Sequence, residues 1–539
     1  MAIAPPDSNR LSQTTFVGGM NAFGAATEIA DNEYWYLSNG RVRASDVAPI
    51  KKAVKIITPA GAKYQGMEVV DKYLVLFVDG KAYYKDLSVN GNFNQIAAFQ
   101  LDPVAEQLYS CLVPGTTAKD VRTASDPSSP VVLKSNTSGT PGCLIVQDGT
   151  SIPLLIDQGA NTRQLQTYDL WNLNSREYVP IGRQMIWSGD ILFIMSHDRR
   201  SIFRSVTGRP LDFVVAIDND GNKLADENGT EITSDYNELT SLIPLSGSGD
   251  VVIAASSLNS TRMLIGDLTN TLYGEPTFSK PPLFTTGALN EFSYTDILGD
   301  TVFIDQSGIR SFNATRQQKV ASNANNFSIR ISSLLEGVTQ DITACGSFQN
   351  YEFFAMKSIY GYGIFVYDSH LQRFVAFDRW SGVGAIKKFC TTKINGSYRL
   401  FVLTNDNEVF EAFASSEYET CTFYGKETTS DDIKRLRYPI YARVQLDYTP
   451  QAGTVLADVL VDKRLVRGYS LPVTPTENTL NYPLDNSVNQ ANESLNWVFD
   501  KAREGLTLGL RLVWNTGSPV SAMSLEFNER NYYIPATKR

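Results

Sequence analysis

Histidine, paired cysteine and surplus basic charge are all scarce in this chain of 539 residues. Only two histidines are present, and neither lies beside a cysteine. The five cysteines are scattered without a C-x-x-C pair, so the sequence predicts buried free thiols and no zinc site. The 57 acidic residues outnumber the 48 lysines and arginines, which gives a net charge of −9. This balance argues against a protein that grips nucleic acid through a basic surface.

Long apolar runs are missing as well. The N-terminal sequence MAIAPP has neither the basic region nor the apolar region of a signal peptide. The longest apolar runs, such as residues 73–78, are far too short to span a bilayer. We therefore expect a chain that is made in a cytoplasm, has no membrane anchor and stays soluble until it is assembled into something larger.

Motifs for catalysis and cofactor binding are also lacking. The run Ser196-His197-Asp198 cannot itself form a triad, because its side chains lie on alternate sides of a predicted turn. Residues 218–222, DNDGN, resemble the start of a calcium loop, but Lys223 stands where that loop needs glycine. Aspartate and glutamate are plentiful, yet no carboxylate pair is singled out for glycosidase chemistry. We predict no catalytic residue, no metal site and no cofactor.

The chain is rich in short apolar runs separated by turn residues. The clearest stretch is 351–413, where β-branched and aromatic runs alternate with Asn, Asp and Gly and no helical period is sustained. It predicts a series of antiparallel strands. Further hairpins are predicted at 73–78 with 81–85, 143–147 with 152–156, 190–195 with 201–205, 250–256 with 262–266, and 300–305 with 308–312.

These hairpins recur at a spacing of about 45–70 residues, which is typical of propeller blades that bury their faces against one another. We predict an all-β fold: a propeller of six or seven blades over residues 55–430, preceded by an N-terminal arm and first strands at 1–54. The Ser-, Thr- and Pro-rich residues 115–141 predict a long surface loop. After a charged connector at 430–439, longer alternating strands predict a β-sandwich-like domain over 431–539.

Four stretches carry a resemblance to a known family. The chain resembles the tail nozzle proteins of short-tailed, podovirus-like bacteriophages, a group that includes packaged-DNA-stabilising tail proteins. The similar stretches are FVGGMNAFGAATEIADNEYWYLSNGRVRASDVAPIKKA at 16–53, QDG leading into IPL at 147–154, IFRS running into GRPLDF at 202–213, and YGIFVYDSHLQRFVAFD at 362–378 with Trp380 after it. The C-terminal residues contain no such stretch.

The resemblance implies a structural role in a virion tail. It implies a homo-oligomer, a ring of six copies at the distal end of the tail, below an adaptor ring and in contact with a tail fibre or a needle or plug protein. Such a ring would retain the genome and release it, with double-stranded DNA passing through without tight binding. An acidic or neutral lumen suits this role, because it repels the phosphate backbone.

The densest acidic stretch is a candidate for the lumen or tip of such a ring. Only one lysine interrupts it, and its simplest alternative is a solvated hairpin tip. Its acidic members are Asp218, Asp220, Asp226, Glu227, Glu231, Asp235 and Glu238.

Two other function classes stay open at this point. A host-receptor or carbohydrate-binding propeller would show a ring of exposed aromatic side chains over its blades. A glycan-degrading propeller enzyme would show a cleft with two carboxylates at catalytic separation.

Overall fold

A computed structural model of the chain describes most of the predicted strands. The described residues are 9–97, 99–113, 143–157, 162–164, 179–205, 207–208, 210, 213, 230–233, 238–245, 253–265, 277–279, 282–283, 285–318, 327–429, 435–446, 453–473, 494–498 and 506–531. They form an all-β structure with little helix, as predicted. Within these residues, no helix is long and apolar enough to cross a membrane.

The chain begins with short strands that do not belong to the propeller. They are β1 (Asn9–Gln13), β2 (Gly19–Met20), β3 (Glu33–Tyr34), β4 (Tyr36–Ser38), β5 (Gly40–Arg43) and β6 (Asp46–Pro49). The next strand, β7 (Val54–Lys55), is the first that pairs with a propeller strand.

Seven antiparallel sheets then follow one another along the chain, and we call them blades one to seven. Blade one contains β8 (Tyr64–Val70), β9 (Tyr73–Val78), β10 (Lys81–Asp86) and β11 (Asn94–Gln95). Blade two contains β12 (Tyr109–Val113), β13 (Cys143–Gln147), β14 (Leu154–Asp157) and β15 (Thr162–Gln164). Blade three contains β16 (Gly182–Ser188), β17 (Ile191–Ser196), β18 (Ser201–Arg204) and β19 (Thr230–Thr233).

The remaining blades complete the series. Blade four contains β20 (Ser241–Pro244), β21 (Ile253–Ser257), β22 (Ser260–Ile265) and β23 (Thr277–Phe278). Blade five contains β24 (Tyr294–Ile297), β25 (Asp300–Asp305) and β26 (Gly308–Ser311), and is followed by helix α1 (Phe312–Gln318), a 3-10 turn (Ile329–Ile331) and helix α2 (Ser332–Leu335). Blade six contains β27 (Ala344–Phe348), β28 (Tyr351–Ser358), β29 (Gly361–Asp368) and β30 (Arg373–Asp378). Blade seven contains β31 (Ile386–Ile394), β32 (Ser397–Thr404) and β33 (Val409–Ala412).

The seven blades close into a ring. The first strands of neighbouring blades contact one another from blade one to blade four and from blade five to blade seven, and β31 of blade seven returns to β8 of blade one. Blades four and five meet where the Thr301 hydroxyl donates to the Pro244 carbonyl over 3.1 Å. The fourth strand of blade seven is β7, so a segment from before blade one closes the ring. The fold is therefore a seven-bladed propeller, the larger of the two predicted blade numbers.

Continuous apolar runs form the middle strands of the blades because both faces of these strands are buried. In β17, Leu192 and Ile194 pack into the core shared with blade two. Ile191, Phe193 and Met195 of the same strand pack into the core shared with blade four. Successive side chains of a strand point to opposite faces, so each blade fills the gap on both sides.

The predicted stretch 351–413 and its hairpins are confirmed. It forms β28 to β33, with strand ends close to the predicted ones. The Asp-Gly signal between β9 and β10 also forms the two-residue turn that it predicted. Asp79 and Gly80 have φ values of 49° and 74°, the positive values that a type I′ hairpin turn requires.

The final strands build two further sheets that pack as a sandwich. They are β34 (Cys421–Tyr424), β35 (Thr428–Thr429), β36 (Arg435–Leu446), β37 (Gly453–Val461), β38 (Arg464–Val473), β39 (Ser494–Val498), β40 (Thr507–Trp514) and β41 (Val520–Asn531). Their inner side chains share one core, which extends into blade six. The predicted charged connector at 430–439 is wrong in its second half, because residues 435–439 belong to β36 and pair with β41.

Both ends of the chain contribute to this sandwich. One sheet has the order β39-β36-β41-β6-β5, with β1 also paired to β41. The other has the order β38-β37-β40-β34-β4, with β35 paired to β40. Residues 9–13 are thus a paired strand, not the free arm expected of the N-terminus. Local sequence patterns do not reveal this, since Asn9 pairs with Phe527 at the far end of the chain.

Candidate functional site: the junction between propeller and sandwich

A buried ion pair joins the sandwich to the propeller. Arg41, on β5, donates from Nη2 to Oδ2 of Asp378 over 2.6 Å and from Nη1 to Oδ1 over 3.1 Å. Asp378 ends β30, the outer strand of blade six. Both side chains are buried, with relative exposures of 4% and 0%. Burial opposes the charge of Arg41, but the adjacent Asp378 carboxylate raises the pKa of Arg41 above its ordinary value.

Asn39 completes this junction. Its backbone amide donates to Asp378 Oδ1 over 3.0 Å, and the Trp380 indole donates to Oδ2 over 3.2 Å. The Asn39 side-chain nitrogen donates to the carbonyls of Arg379 and Thr420, each over 3.1 Å. The Asn39 side-chain oxygen accepts from the Arg379 backbone amide over 2.8 Å. Both oxygens of the buried carboxylate are therefore satisfied. Two stretches that carry the family resemblance, 39–43 and 362–380, meet in this one place.

Gly40 is fixed by close packing within the junction. A Cβ atom at this position would lie 2.7 Å from Cδ1 of Leu37 and 2.8 Å from Sγ of Cys421. Asn39 beside it has a φ of 55°, a left-handed conformation that asparagine tolerates better than most residues. This Asn-Gly pair takes the chain from β4 in one sheet of the sandwich to β5 in the other.

A cleft of about 400 Å³ lies beside the ion pair, between the sandwich and blades six and seven, and we call it the junction cleft. Aromatic rings provide much of its wall. Among them Tyr398 is 49% exposed, while Phe348 and Phe413 pack against each other with ring centroids 5.6 Å apart. The aromatic side chains of the cleft are Phe348, Tyr351, Tyr398, Phe413 and Tyr418.

Some cations of the junction cleft have an acidic partner and others do not. Arg399 binds Glu411 through two parallel hydrogen bonds of 2.6 and 2.7 Å, and its third nitrogen donates to the Leu87 carbonyl over 2.9 Å. Arg43 and Lys51 are exposed at the cleft and form no ion pair with any described residue. The cleft therefore has an excess of positive charge on a chain whose net charge is −9.

A second cleft, of about 510 Å³, lies on the other side of the same junction. Its lining is more polar and includes Asn39, Asp378 and Trp380. Tyr362 spans part of it, because its hydroxyl donates to the Ile386 carbonyl over 3.1 Å and accepts from the Ile386 amide over 2.9 Å. Burial raises the pKa of this phenol. The polar groups here are largely bonded to one another, so this cleft offers less to a ligand.

The acidic stretch predicted for a lumen or tip is described only in part. Glu231 lies on β19, and Glu238 is exposed before β20. Glu238 borders an open depression of about 610 Å³ that also contains Arg183, Arg199 and Arg200. The C-terminal end of the acidic stretch therefore lies beside basic residues. The other predicted members, Asp218, Asp220, Asp226, Glu227 and Asp235, lie outside the described residues.

Hydrogen-bonding side chains cross the propeller axis. Gln107, at the start of blade two, donates to the carboxylate of Glu291, at the start of blade five. Tyr294, on blade five, interacts with the side chain of Gln184, on blade three. These contacts join blades that are not neighbours in the ring. Side chains of the described residues therefore cross the centre of the propeller at this level.

Four of the five thiols predicted to be free and buried are described as free, and three of these four are buried. Cys111, Cys390 and Cys421 are buried, and Cys345 is partly exposed. Burial raises the pKa of Cys111 to about 12, so its reactive thiolate form is suppressed. Across the described ranges, no group of three His, Cys, Asp or Glu side chains is arranged to hold a metal ion.

The junction was not predicted as a site from the sequence. Its members lie in two stretches singled out for their resemblance, but nothing local shows that Arg41 and Asp378 would pair. The junction cleft was also missed, because residues 41–51 and 348–418 meet only after the ring closes. The one available signal was the repeated use of Arg and Tyr in these stretches.

Comparisons with known proteins give structural neighbours only. No protein-family model and no curated protein matches this chain. The N-terminal domain of BBS1, solved in complex with ARL6, matches with a TM-score of 0.38 and 9% identity over 68% of this chain and 96% of that one. A functionally unknown protein from Desulfotomaculum acetoxidans matches with a TM-score of 0.35 and 11% identity, over 66% of this chain and 94% of that one. The Dos1 propeller matches with a TM-score of 0.36 and 10% identity, over 68% of this chain and 96% of that one.

Proposed function

We propose that this protein is a structural component of the tail of a short-tailed bacteriophage, where it forms the distal nozzle ring that retains and releases the genome. The observation that carries the proposal is the junction itself. Two stretches that carry the resemblance, 39–43 and 362–380, supply the buried groups that fix the sandwich to the propeller. Two of the four stretches similar to the nozzle family thus contain groups that hold the two parts together.

The contacts across the propeller axis support a conduit that lies outside a single copy. Because Gln107 and Glu291 are bonded across the axis, our proposal does not route duplex DNA through it. The conduit in our proposal is formed between copies arranged in a closed ring, six of them by the resemblance. In this arrangement the protein contacts an adaptor ring above it and a tail fibre or a needle or plug protein, and lies in the virion tail.

The net negative charge and the pairing of N-terminal with C-terminal strands suit this role. A net charge of −9 repels the phosphate backbone and favours sliding over adhesion. Strands from both ends of the chain pair within one sheet, so neither end of the sandwich can peel away without breaking that sheet. The role requires no catalytic residue and no cofactor.

Labelling of intact particles tests the proposal. Antibodies raised against the purified chain should bind the distal end of the tail in negative-stain images, and averaged tails should show a ring of several copies there. Antibody that has first been absorbed with the purified chain is the matched control. Absence of the chain from particles, or its presence as one copy in each tail, would contradict the proposal.

A further inference from the structure

We propose that the junction cleft binds an acidic saccharide, a sugar ring that bears a carboxylate. This inference goes beyond the structural role and does not depend on it. It rests on three features that occur together in one cleft: an aromatic wall with one exposed tyrosine, two cations without an ion pair to any described residue, and a rigid donor–acceptor pair.

Aromatic rings supply the first feature. Tyr398 keeps 49% of its surface exposed, with the Lys393 ammonium 5.1 Å from its ring centroid. Tyr351 is half-buried in the same cleft, with the Arg41 guanidinium 5.2 Å from its ring centroid. The C–H face of a sugar ring is apolar and flat, so it packs on an aromatic ring while its hydroxyls point outward. A tyrosine adds a phenol that can bond to one of those hydroxyls.

Unmatched positive charge supplies the second feature. Arg41 is satisfied by Asp378, and Arg399 is satisfied by Glu411, so neither guanidinium needs a further anion. Arg43 and Lys51 lie at the cleft without an ion pair to any described residue. A carboxylate placed between them would gain charge-assisted hydrogen bonds. The ligand should therefore carry a negative charge.

The Arg399–Glu411 pair supplies the third feature. Three hydrogen bonds fix the guanidinium, to the Glu411 carboxylate and to the Leu87 carbonyl. A carboxylate has about four lone-pair sites, so Glu411 can still accept from hydroxyl groups. Because the pair is already held in place, little side-chain freedom is lost on binding. Sugar hydroxyls can both donate and accept, and so suit this arrangement.

The charge count argues against a nucleic acid as the ligand. The two unpaired cations match the charge of one carboxylate, whereas a nucleic acid presents a chain of phosphates. The volume of about 400 Å³ lies toward the lower end of the range for small-ligand sites, about 300–1,000 Å³, and sites of this kind favour domain boundaries. It suits one or two sugar rings.

Calorimetric titration of the full chain with glucuronic acid and N-acetylneuraminic acid tests the proposal. Glucose, the methyl ester of glucuronic acid, and AMP serve as comparison ligands. We expect at least one acidic sugar to bind at millimolar or better affinity, and the neutral sugars to bind at least about tenfold more weakly. Higher salt should weaken binding, because the charged contacts are partly exposed.

Variants of the cleft separate this site from binding elsewhere. The double variant Arg43→Ala with Lys51→Ala should weaken acidic-sugar binding about tenfold or more, and Tyr398→Ala should do the same. Tyr360→Ala, at an exposed tyrosine outside the cleft, is the matched control and should bind normally. All three alter exposed side chains, so their melting temperatures should match the wild type.

Three results would overturn the proposal. They are no binding of any acidic sugar to the wild type, unchanged binding in the cleft variants, and preferential binding of AMP. None of them bears on the nozzle role, which is decided by particle labelling.

Discussion

Arg41 and Asp378 are 337 residues apart in the sequence and form a buried, doubly hydrogen-bonded ion pair in the structure. One partner lies on a sandwich strand and the other at the end of a propeller blade. A charge buried without its partner is strongly unfavourable, whereas the complete pair is tolerated because both carboxylate oxygens accept hydrogen bonds and two guanidinium nitrogens donate them. The pair thus fixes which surfaces of the two parts meet.

Breaking this pair should destabilise the protein strongly. Asp378→Asn leaves the Arg41 guanidinium buried without a countercharge, so we expect the free energy of unfolding to fall by about 3–5 kcal/mol. Arg41→Met combined with Asp378→Leu should recover part of that loss, because no buried charge remains. Denaturant titration measures the free energy of unfolding of both variants. Lys52→Met, which breaks the exposed Lys52–Glu417 pair, is the control and should leave the midpoint unchanged. A double variant that is no more stable than Asp378→Asn would contradict this account.

The pH dependence of stability should reflect Glu352. Burial between blades five and six raises its pKa from 4.5 to about 7, with Asp296 adding to the increase and the Thr295 hydroxyl, 2.9 Å away, opposing it. The folded state thus holds this proton more tightly than the unfolded state. Glu352 therefore lowers stability progressively as the pH rises from about 4.5 to about 7, and its full cost is present above pH 7.

Glu352→Gln isolates this effect. The variant should be more stable than the wild type at pH 8, by up to about 3 kcal/mol, and the difference should shrink toward pH 5. Glu336→Gln, at an exposed glutamate, is the control and should follow the wild type at every pH. Unfolding curves recorded from pH 5 to pH 8 give the comparison. Parallel stability profiles for Glu352→Gln and the wild type would refute the assignment.

The sequence predicted the propeller better than the sandwich for a physical reason. Blade strands such as β17 pair with neighbours a few residues away, so hairpin turns and apolar runs reveal them locally. The sandwich depends on pairs such as Asn9 with Phe527 and Thr422 with Ser38, which no local pattern indicates. Two-residue strands such as β3 are also too short to show alternation.

The candidate site was less predictable than the fold. Arg399 and Glu411 lie on adjacent strands of blade seven, whereas Arg43 and Lys51 reach the same cleft only through the packing of the sandwich. Such a site arises from ring closure and domain packing together. The acidic stretch at 218–238 differs from the cleft, because its composition is evident from the sequence alone. Its role as a lumen or tip loop stays a prediction.

The first strand should be important for the sandwich. Gln13 is 2% exposed, its amide donates to the Glu33 carbonyl over 2.8 Å, and its carbonyl oxygen accepts from the Lys426 amide over 3.0 Å. Gln13→Ala leaves these buried backbone groups without partners, so we expect a loss of about 1–3 kcal/mol in denaturant unfolding. Ser12→Ala, at an exposed neighbour on the same strand, should have little effect. An unaffected Gln13→Ala variant would show that water replaces the lost bonds.

Limited proteolysis should distinguish the predicted loop from the start of β36. The composition of residues 115–141 predicts early cleavage there. Arg437, in contrast, is 9% exposed, and its guanidinium lies 4.8 Å from the centroid of the Phe527 ring. Trypsin should therefore spare the bond after Arg437 in the native protein and cut it in urea. Early native cleavage at Arg437 would show that β36 is not paired at this end.

Duplex DNA should bind this protein weakly. Acidic residues exceed basic ones by nine, 57 against 48, so the overall field repels phosphate. Besides the junction cleft, the open depression with Arg183, Arg199 and Arg200 is a local exception, and Glu238 and Asp198 lie within the same depression and offset part of its charge. We expect a dissociation constant weaker than about 1 μM at physiological salt, in the range of non-specific contacts.

A titration at low and at moderate salt measures both the affinity and the number of phosphates contacted, because the salt slope is about 0.9 per neutralised phosphate. Replacing Arg183, Arg199 and Arg200 by alanine should remove any residual low-salt binding, whereas alanine at the exposed Lys81 should not. Such weak contact suits a conduit, since each firm phosphate contact would slow the passage of DNA. Submicromolar binding with a steep salt slope would contradict the proposal that DNA passes without tight binding. Its loss in the triple-alanine variant would then identify the basic depression as a true DNA-gripping surface.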